Sequence, residues 1–354
     1  MPLIVEGGRI PTRWALEGNS RPTGSSTGAA EHLSVAFINN MPDAALEDTE
    51  IQFFTLLDIA SGDVPIFVKL YSLPGVPRAE RGQRHLSEFY NGFDDLWKSQ
   101  FDGVIVTGTE PKQSNLRNEP YWTLLADVFD WAERQTASAI LSCLAAHASV
   151  LHGDGISRHP LPDKQFGVFE SRKTSAHPLM DDVGEQVRFP HSRWNEVREE
   201  DLSEAGYTIL AKSKDAGVDT FVKKKRGSLF LHFQGHPEYG AQTLFKEYRR
   251  DIKRFLNRER ETYPTMPRGY FDPSSARLLD KFKTEAMAER REEIMASFPE
   301  DAVIGGLQNG WNATAACVYR NWVRYVAAHR AKNAVFTSSA SPSLHESVRV
   351  NVGQ

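Results

Sequence analysis

Ala139-Ile140-Leu141-Ser142 is a short, continuous apolar run that passes without a break into Cys143 and the Ala-rich Leu144-Ala145-Ala146. Such a run reads as a buried strand, and the alanine-rich segment after it as a helix, which puts Cys143 on the turn between the two. Upstream, Ser34-Val35-Ala36-Phe37-Ile38 predicts a strand ending at Asn39-Asn40-Met41-Pro42. A helix is expected from about Glu47, because Ile51, Phe54 and Leu57 recur three apart. Further strands are predicted over 64–70 and at Gly103-Val104-Ile105-Val106, and a helix over 121–134. Downstream, strands are expected over 207–211, 218–222 and 228–233, followed by helices over 241–258, 276–297 and 311–331. Strands that alternate with helices in this order predict an α/β fold with a mostly parallel sheet flanked by helices. The chain divides into an arm (1–32) rich in Gly, Ser, Thr, Pro and Arg, an α/β domain (33–258) and a C-terminal helical extension packing on the core (259–335). A Ser-rich tail (336–354), with no apolar pattern, is expected to be disordered.

The 354 residues suffice for a large core, and the charged share of 25% is that of an ordinary globular protein. A formal net charge of -4 gives no electrostatic reason to expect nucleic acid as a partner. No apolar run approaches the ~20 residues that cross a bilayer, and no secretory signal is read at the start, so no membrane partner and a cytoplasmic setting are expected. Two cysteines, Cys143 and Cys317, are too few for a disulfide framework. Cys317, between Ala316 and Val318, reads as core packing. No metal is expected, since no His and Asp residues show ligand spacing.

At a strand-to-helix turn the helix N-terminus favours a thiolate, and the N–H groups of the first turn can stabilise an oxyanion. The competing reading is a small cysteine packed as a hydrophobe. A second element bears on that choice. The strand over 228–233 ends in Gln234-Gly235-His236-Pro237-Glu238. In an extended chain, residues two apart point to one side, so His236 and Glu238 can lie together. A carboxylate beside an imidazole holds one tautomer and stabilises the imidazolium. The constellation is then Cys143 as nucleophile, His236 as base and Glu238 as orienter.

The motifs Leu141-Ser142-Cys143-Leu144-Ala145, Gly235-His236-Pro237-Glu238-Tyr239, Asn39-Asn40-Met41-Pro42, Gly167-Val168-Phe169-Glu170 and Pro190-His191-Ser192-Arg193 together resemble the homoserine O-acyltransferases of methionine biosynthesis. The resemblance covers about 33–258 and resumes near 311–331, with no counterpart placed for 259–310. It implies a class I glutamine amidotransferase-like (flavodoxin-like) fold and a ping-pong transfer from an acyl-CoA to the hydroxyl of L-homoserine or a related hydroxy-amino acid. No bound cofactor is implied, because the acyl-CoA is a substrate, and family members are commonly homodimers. It further implies an oxyanion hole from the backbone of Leu144 and of the Asn40-Met41 loop, with Asn40 the chosen donor. Arg250 matches the residue that holds the amino-acid carboxylate, and Lys164 and Ser192 the rest of that pocket. By count from Cys143, Lys112 takes the position that selects the acyl group. A lysine there could pair with a succinyl carboxylate, so succinyl-CoA is favoured over acetyl-CoA, which Glu110 would favour instead.

Two other readings remain open. One is a glutamine amidotransferase or γ-glutamyl hydrolase using the same triad on an amide, although Leu141 and Ala145 stand where such enzymes commonly carry glycines. The other is a non-catalytic binding module that kept the fold, suggested by Asp43-Ala44 where the family usually has two lysines.

Overall fold

Strands whose residues are buried without alternation need cover on both faces, and the sheet is built around several of them. In the computed structural model, which describes residues 3–6 and 32–339, the strands are β1 (Leu3–Val5), β2 (Leu33–Ile38), β3 (Ile66–Tyr71), β4 (Gly103–Val106), β5 (Ser138–Ser142), β6 (His159–Lys173), β7 (Gln186–Glu196), β8 (Thr208–Ser213), β9 (Gly217–Lys225) and β10 (Ser228–Phe233). The helices are α1 (Leu46–Ser61), α2 (Glu80–Phe89), α3 (Asp94–Lys98), α4 (Trp122–Gln135), α5 (Leu144–Asp154), α6 (Glu199–Glu204), α7 (Thr243–Leu256), α8 (Pro273–Ala288), α9 (Glu300–Ile304) and α10 (Asn312–Ser339). Every residue of β4, β5 and β10 is buried.

All strands join one 10-stranded sheet in the order β1-β3-β2-β4-β5-β10-β9-β8-β6-β7. The run from β1 to β10 is parallel, and the run from β10 to β7 is antiparallel. Counted from β2, the strands β3-β2-β4-β5-β10 have the flavodoxin-like order 2-1-3-4-5. Side chains alternate between two cores. Phe37, Ile105, Ile140 and Leu231 enter one face, and Ala36, Val104, Ala139 and Phe230 the other. The loops at the C-terminal ends of β2, β4, β5 and β10 are neighbours, where open α/β sheets carry their sites.

The C-terminal helix α10 is built into the first of these cores. Trp322 is fully buried, and its Nε1 donates to Ser138 Oγ at 2.9 Å. Gly103 makes room for the indole, since a Cβ there would stand 2.8 Å from Trp322 Cζ2. Tyr319 stacks on Phe233 with ring centroids 6.1 Å apart.

Four expectations differ from what is found. Leu3–Val5, assigned to the arm, is an edge strand paired with Ile66–Val68; the rest of the arm, 7–31, lies outside the described residues. The β6–β7 hairpin was not predicted, because β6 is half exposed over its first half and shows no clean alternation. The helix over 276–297 is two elements. It starts earlier, where Asp272 caps the N–H groups of Ser274 and Ser275 ahead of Pro273, and α8 stops at Ala288 before a 3-10 turn at Glu292–Ser297. Finally, α10 continues to Ser339, past the expected start of the tail, while 340–354 lies outside the described residues.

Trp322→Ala should cost about 3–5 kcal/mol, the usual range for emptying a buried aromatic site. Urea unfolding measures it, and a loss under about 1 kcal/mol would make α10 a separable attachment.

Candidate active site

Cys143 caps the N-terminus of α5 with φ 52 and ψ -108. A non-glycine residue holds such a conformation only where its surroundings over-determine it. Here β5 fixes the chain before it and α5 the chain after. In addition, the Cys143 N–H donates to Phe233 O at 2.8 Å, tying the turn to the end of β10. Its side chain opens into a cavity of about 580 Å³.

Past Phe233 the chain is pinned by Gln234 N donating to Asp219 O and by His236 N donating to Pro190 O, at 2.8 and 2.7 Å. His236 and Glu238 do meet, but not on an extended segment: Tyr239 N donates to His236 O at 3.2 Å and closes a turn. His236 Nδ1 lies 2.8 Å from Glu238 Oε1, which also accepts from Ser142 Oγ at 3.1 Å. The remaining ring nitrogen is left for the Cys143 thiol. Burial alone would lower the His236 pKa, but the charges of Glu238 and Cys143 outweigh it and hold the imidazolium well above its ordinary range. Tyr239 stacks on the imidazole at 4.2 Å and limits its rotation.

Lys164, Ser192 and Arg250 lie together at another part of the same cavity. Two acids on α7, absent from the sequence reading, hold them there. Glu247 accepts from Ser192 Oγ, from Lys164 Nζ at 3.3 Å and from Tyr239 OH at 2.9 Å. Asp251 faces Lys164 Nζ at 3.5 Å and Arg250 Nη2 at 3.1 Å. Burial works against the Arg250 charge, yet Asp251 and Glu247 raise its pKa above the ordinary value. The i, i+4 spacing of Glu247 and Asp251 on a helix that also carries Arg250 was the available signal.

The oxyanion assignment needs a correction. The Asn40 N–H donates to Thr107 Oγ1 at 2.8 Å, and its side chain accepts from Leu73 N at 3.0 Å, so Asn40 braces its loop instead of presenting a donor. The Met41 N–H is likewise taken, by Asn39 Oδ1 at 3.2 Å. Leu144 N–H belongs to the first turn of α5, whose amides the helix itself leaves without acceptors. Gly108 approaches it closely, since a Cβ at Gly108 would stand 3.0 Å from Leu144 N. Lys112 sits exposed at the rim, with its N–H and that of Gln113 both donating to Glu119 Oε1 at 2.6 Å.

Of the histidines near these motifs, His147 bonds Gln234 Oε1 at 2.9 Å, and burial lowers its pKa to about 3. His191 faces Asp219 Oδ2 at 2.9 Å in full burial. Two arginines, the buried Arg193 and the half-buried Arg158, were also missed. Arg193 donates to His191 Nδ1, Asn195 O and Ala216 O, and Arg158 lines the cavity beside the 113–114 loop. Cys317 lies half-buried against the first core, with its Sγ 3.5 Å from Asp181 O, and does not line this cavity. Among the described residues no group of three or more His, Cys, Asp or Glu side chains could hold a metal ion, and no helix is long and apolar enough to cross a membrane.

The sheet and the site define an α/β protein with a thiol, an imidazole and a carboxylate arrayed at a strand-to-helix turn. The chain belongs to the homoserine O-succinyltransferase family, whose profile, described as "Homoserine O-succinyltransferase", matches residues 20–333. That span includes 259–310, for which the motifs offered no counterpart. A homoserine O-succinyltransferase of Rhodopseudomonas palustris is 42% identical over 295 residues, covering 83% of this chain and 88% of that protein. One of Bradyrhizobium japonicum is 40% identical over 330 residues, covering 92% and 99%. Among solved structures, a glutamine amidotransferase of Thermotoga maritima is 12% identical at a TM-score of 0.41, covering 83% of this chain and 98% of that one.

The raised His236 pKa has a sign that can be checked. A histidine that keeps its proton longer when folded contributes stability that is full below about pH 6.5 and is lost as pH rises through the folded value. Glu238→Gln removes one cause of the shift. Between about pH 6 and about pH 9, the variant should therefore lose less stability to urea than the parent does. Equal losses would mean that Glu238 does not hold the imidazolium.

Proposed function

We propose that this protein transfers the succinyl group of succinyl-CoA to the side-chain hydroxyl of L-homoserine, in methionine biosynthesis, through an acyl-enzyme on Cys143. The observation that carries the reading is the strained Cys143 turn facing a histidine whose other nitrogen is fixed by a buried carboxylate. The names of the two relatives support the donor and the acceptor.

The chemistry follows from the geometry. The Cys143 thiolate attacks the thioester carbonyl, and the oxyanion that develops is stabilised by Leu144 N–H at the start of α5. Collapse expels the CoA thiolate, which takes the proton from the His236 imidazolium. The imidazole, now neutral and held in one tautomer by Glu238, removes the hydroxyl proton of homoserine as that oxygen attacks the acyl-enzyme. The second collapse expels the Cys143 thiolate and releases the ester, with His236 again protonated. Arg250 receives the amino-acid carboxylate through its planar fork, and the acids Glu247 and Asp251 give the α-ammonium a negative surround. Lys164 and Ser192 set the positions of those acids.

Incubation with succinyl-CoA and homoserine, with released CoA followed by a thiol reagent, tests the reaction. The parent should release CoA, and with homoserine omitted, intact-protein mass spectrometry should show one succinyl group on the chain. Cys143→Ala should lower turnover on the order of 10³-fold or more and abolish the adduct. Full turnover by that variant would remove the assigned nucleophile.

His236→Asn should also lower turnover on the order of 10³-fold. The same CoA assay reads it, and an effect under about tenfold would mean another group moves the proton.

A further inference from the structure

We propose that Arg158, a residue of the loop between α5 and β6, is the receptor for the free carboxylate of the acyl group carried on Cys143. The inference rests on the acyl-transfer reading above and gives its acyl pocket a definite residue.

The cavity has two cationic regions with different surroundings. Around Arg250 and Lys164 the charge is matched by Glu247 and Asp251. Arg158 has no such match. Among the described residues no carboxylate lies within ion-pair distance of it, and its Nη2 donates only to the neutral carbonyls of Gln113 and Ser114, each at 3.3 Å. The nearby Glu119 is occupied by the amides of Lys112 and Gln113, and so fixes the loop whose carbonyls orient the guanidinium. Burial pushes the Arg158 pKa down, opposed by the charges of Tyr121, Glu119 and Cys143. A partly desolvated cation without a counter-ion favours an anion supplied by a ligand, and a guanidinium fork suits a carboxylate in two-point contact.

Position separates Arg158 from the other candidates. Arg158 lines the cavity together with Cys143 and the neutral His147, and its charge bears on Cys143, whereas Arg250 pairs with Asp251. Arg193 is also near Cys143, but it is 4% exposed and already donates to three acceptors. Lys112 is exposed at the rim, where its ammonium stays hydrated and selects weakly. A four-carbon diacid joined to Cys143 as a monothioester would thus extend its free carboxylate toward Arg158.

The test compares Arg158→Gln, Arg158→Lys and Lys112→Gln in the CoA-release assay with succinyl-CoA and with acetyl-CoA, alongside inhibition by free CoA, which lacks the carboxylate. Arg158→Gln should lower kcat/KM for succinyl-CoA by about 10- to 100-fold, the range of a hydrogen bond to a charged group, while inhibition by free CoA changes less than about threefold. Any acetyl-CoA turnover should likewise change less than about threefold. Arg158→Lys, which keeps the charge without the fork, should lie between Arg158→Gln and the parent, and it reports if the glutamine variant fails to fold. Equal loss with both donors, weakened inhibition by free CoA, no loss with succinyl-CoA, or a donor-selective loss in Lys112→Gln would each overturn the assignment. A parent that releases no CoA from either donor would instead remove the acyl-transfer reading itself, and the receptor with it.

Discussion

The hydrogen bond from Cys143 N–H to Phe233 O joins the two strands on which the site depends. β5 delivers the thiol and β10 delivers the loop with the imidazole, and the two strands are parallel neighbours from Ser138 and Leu229 up to Ser142 and Phe233. The bond extends that ladder by one step into the turn, where the chain has left sheet geometry. It therefore fixes the strained residue against the same strand that positions its partner. Sulfur and ring nitrogen are placed relative to each other by backbone, before any side-chain contact is considered. Ser142 then reaches from β5 to Glu238, so the orienting carboxylate is also referred to both strands.

Charge is distributed within the cavity by the same economy of elements. α7 contributes both Glu247 and Asp251 and the cation Arg250, one turn apart, so a single helix sets the polarity of the amino-acid side. Glu247 also receives the hydroxyl of Tyr239, whose ring stacks on His236. The substrate-binding acids and the base thus share a neighbour. A shift of α7 would be felt at the imidazole through one aromatic ring.

Much of the parallel half was legible from the sequence because its strands are buried on both faces and so read as largely apolar runs, such as Gly103–Val106 and Ala139-Ile140-Leu141. The edge hairpin β6–β7 was not, since its exposed first half mixes polar and prolyl residues and its pairing shifts register between Pro160 and Gln165. In the site, the residues that bear reactive groups stood out by type and by position next to a strand end. Glu119 and Arg158 carry no local mark, and Glu247 and Asp251 are marked only by their spacing on α7; the roles of all four arise from contacts across many residues of chain, such as the 83 that separate Lys164 from Glu247. Asn40 shows the reverse. It lies beside the site in a suggestive motif, yet its N–H was already claimed by Thr107, a partner 67 residues away.

The fit of Trp322 between Gly103 and Ser138 also bears on how the chain acquires its structure. Ser138 and Trp322 are 184 residues apart, and the indole fills a gap that β4 and β5 leave open. During synthesis the central parallel strands emerge long before the side chain that closes the sheet's face. Until then they must remain either incompletely packed or sheltered by other apolar groups. Assembly of the nucleophile's own strand is therefore completed late, by a segment that touches none of the reacting atoms.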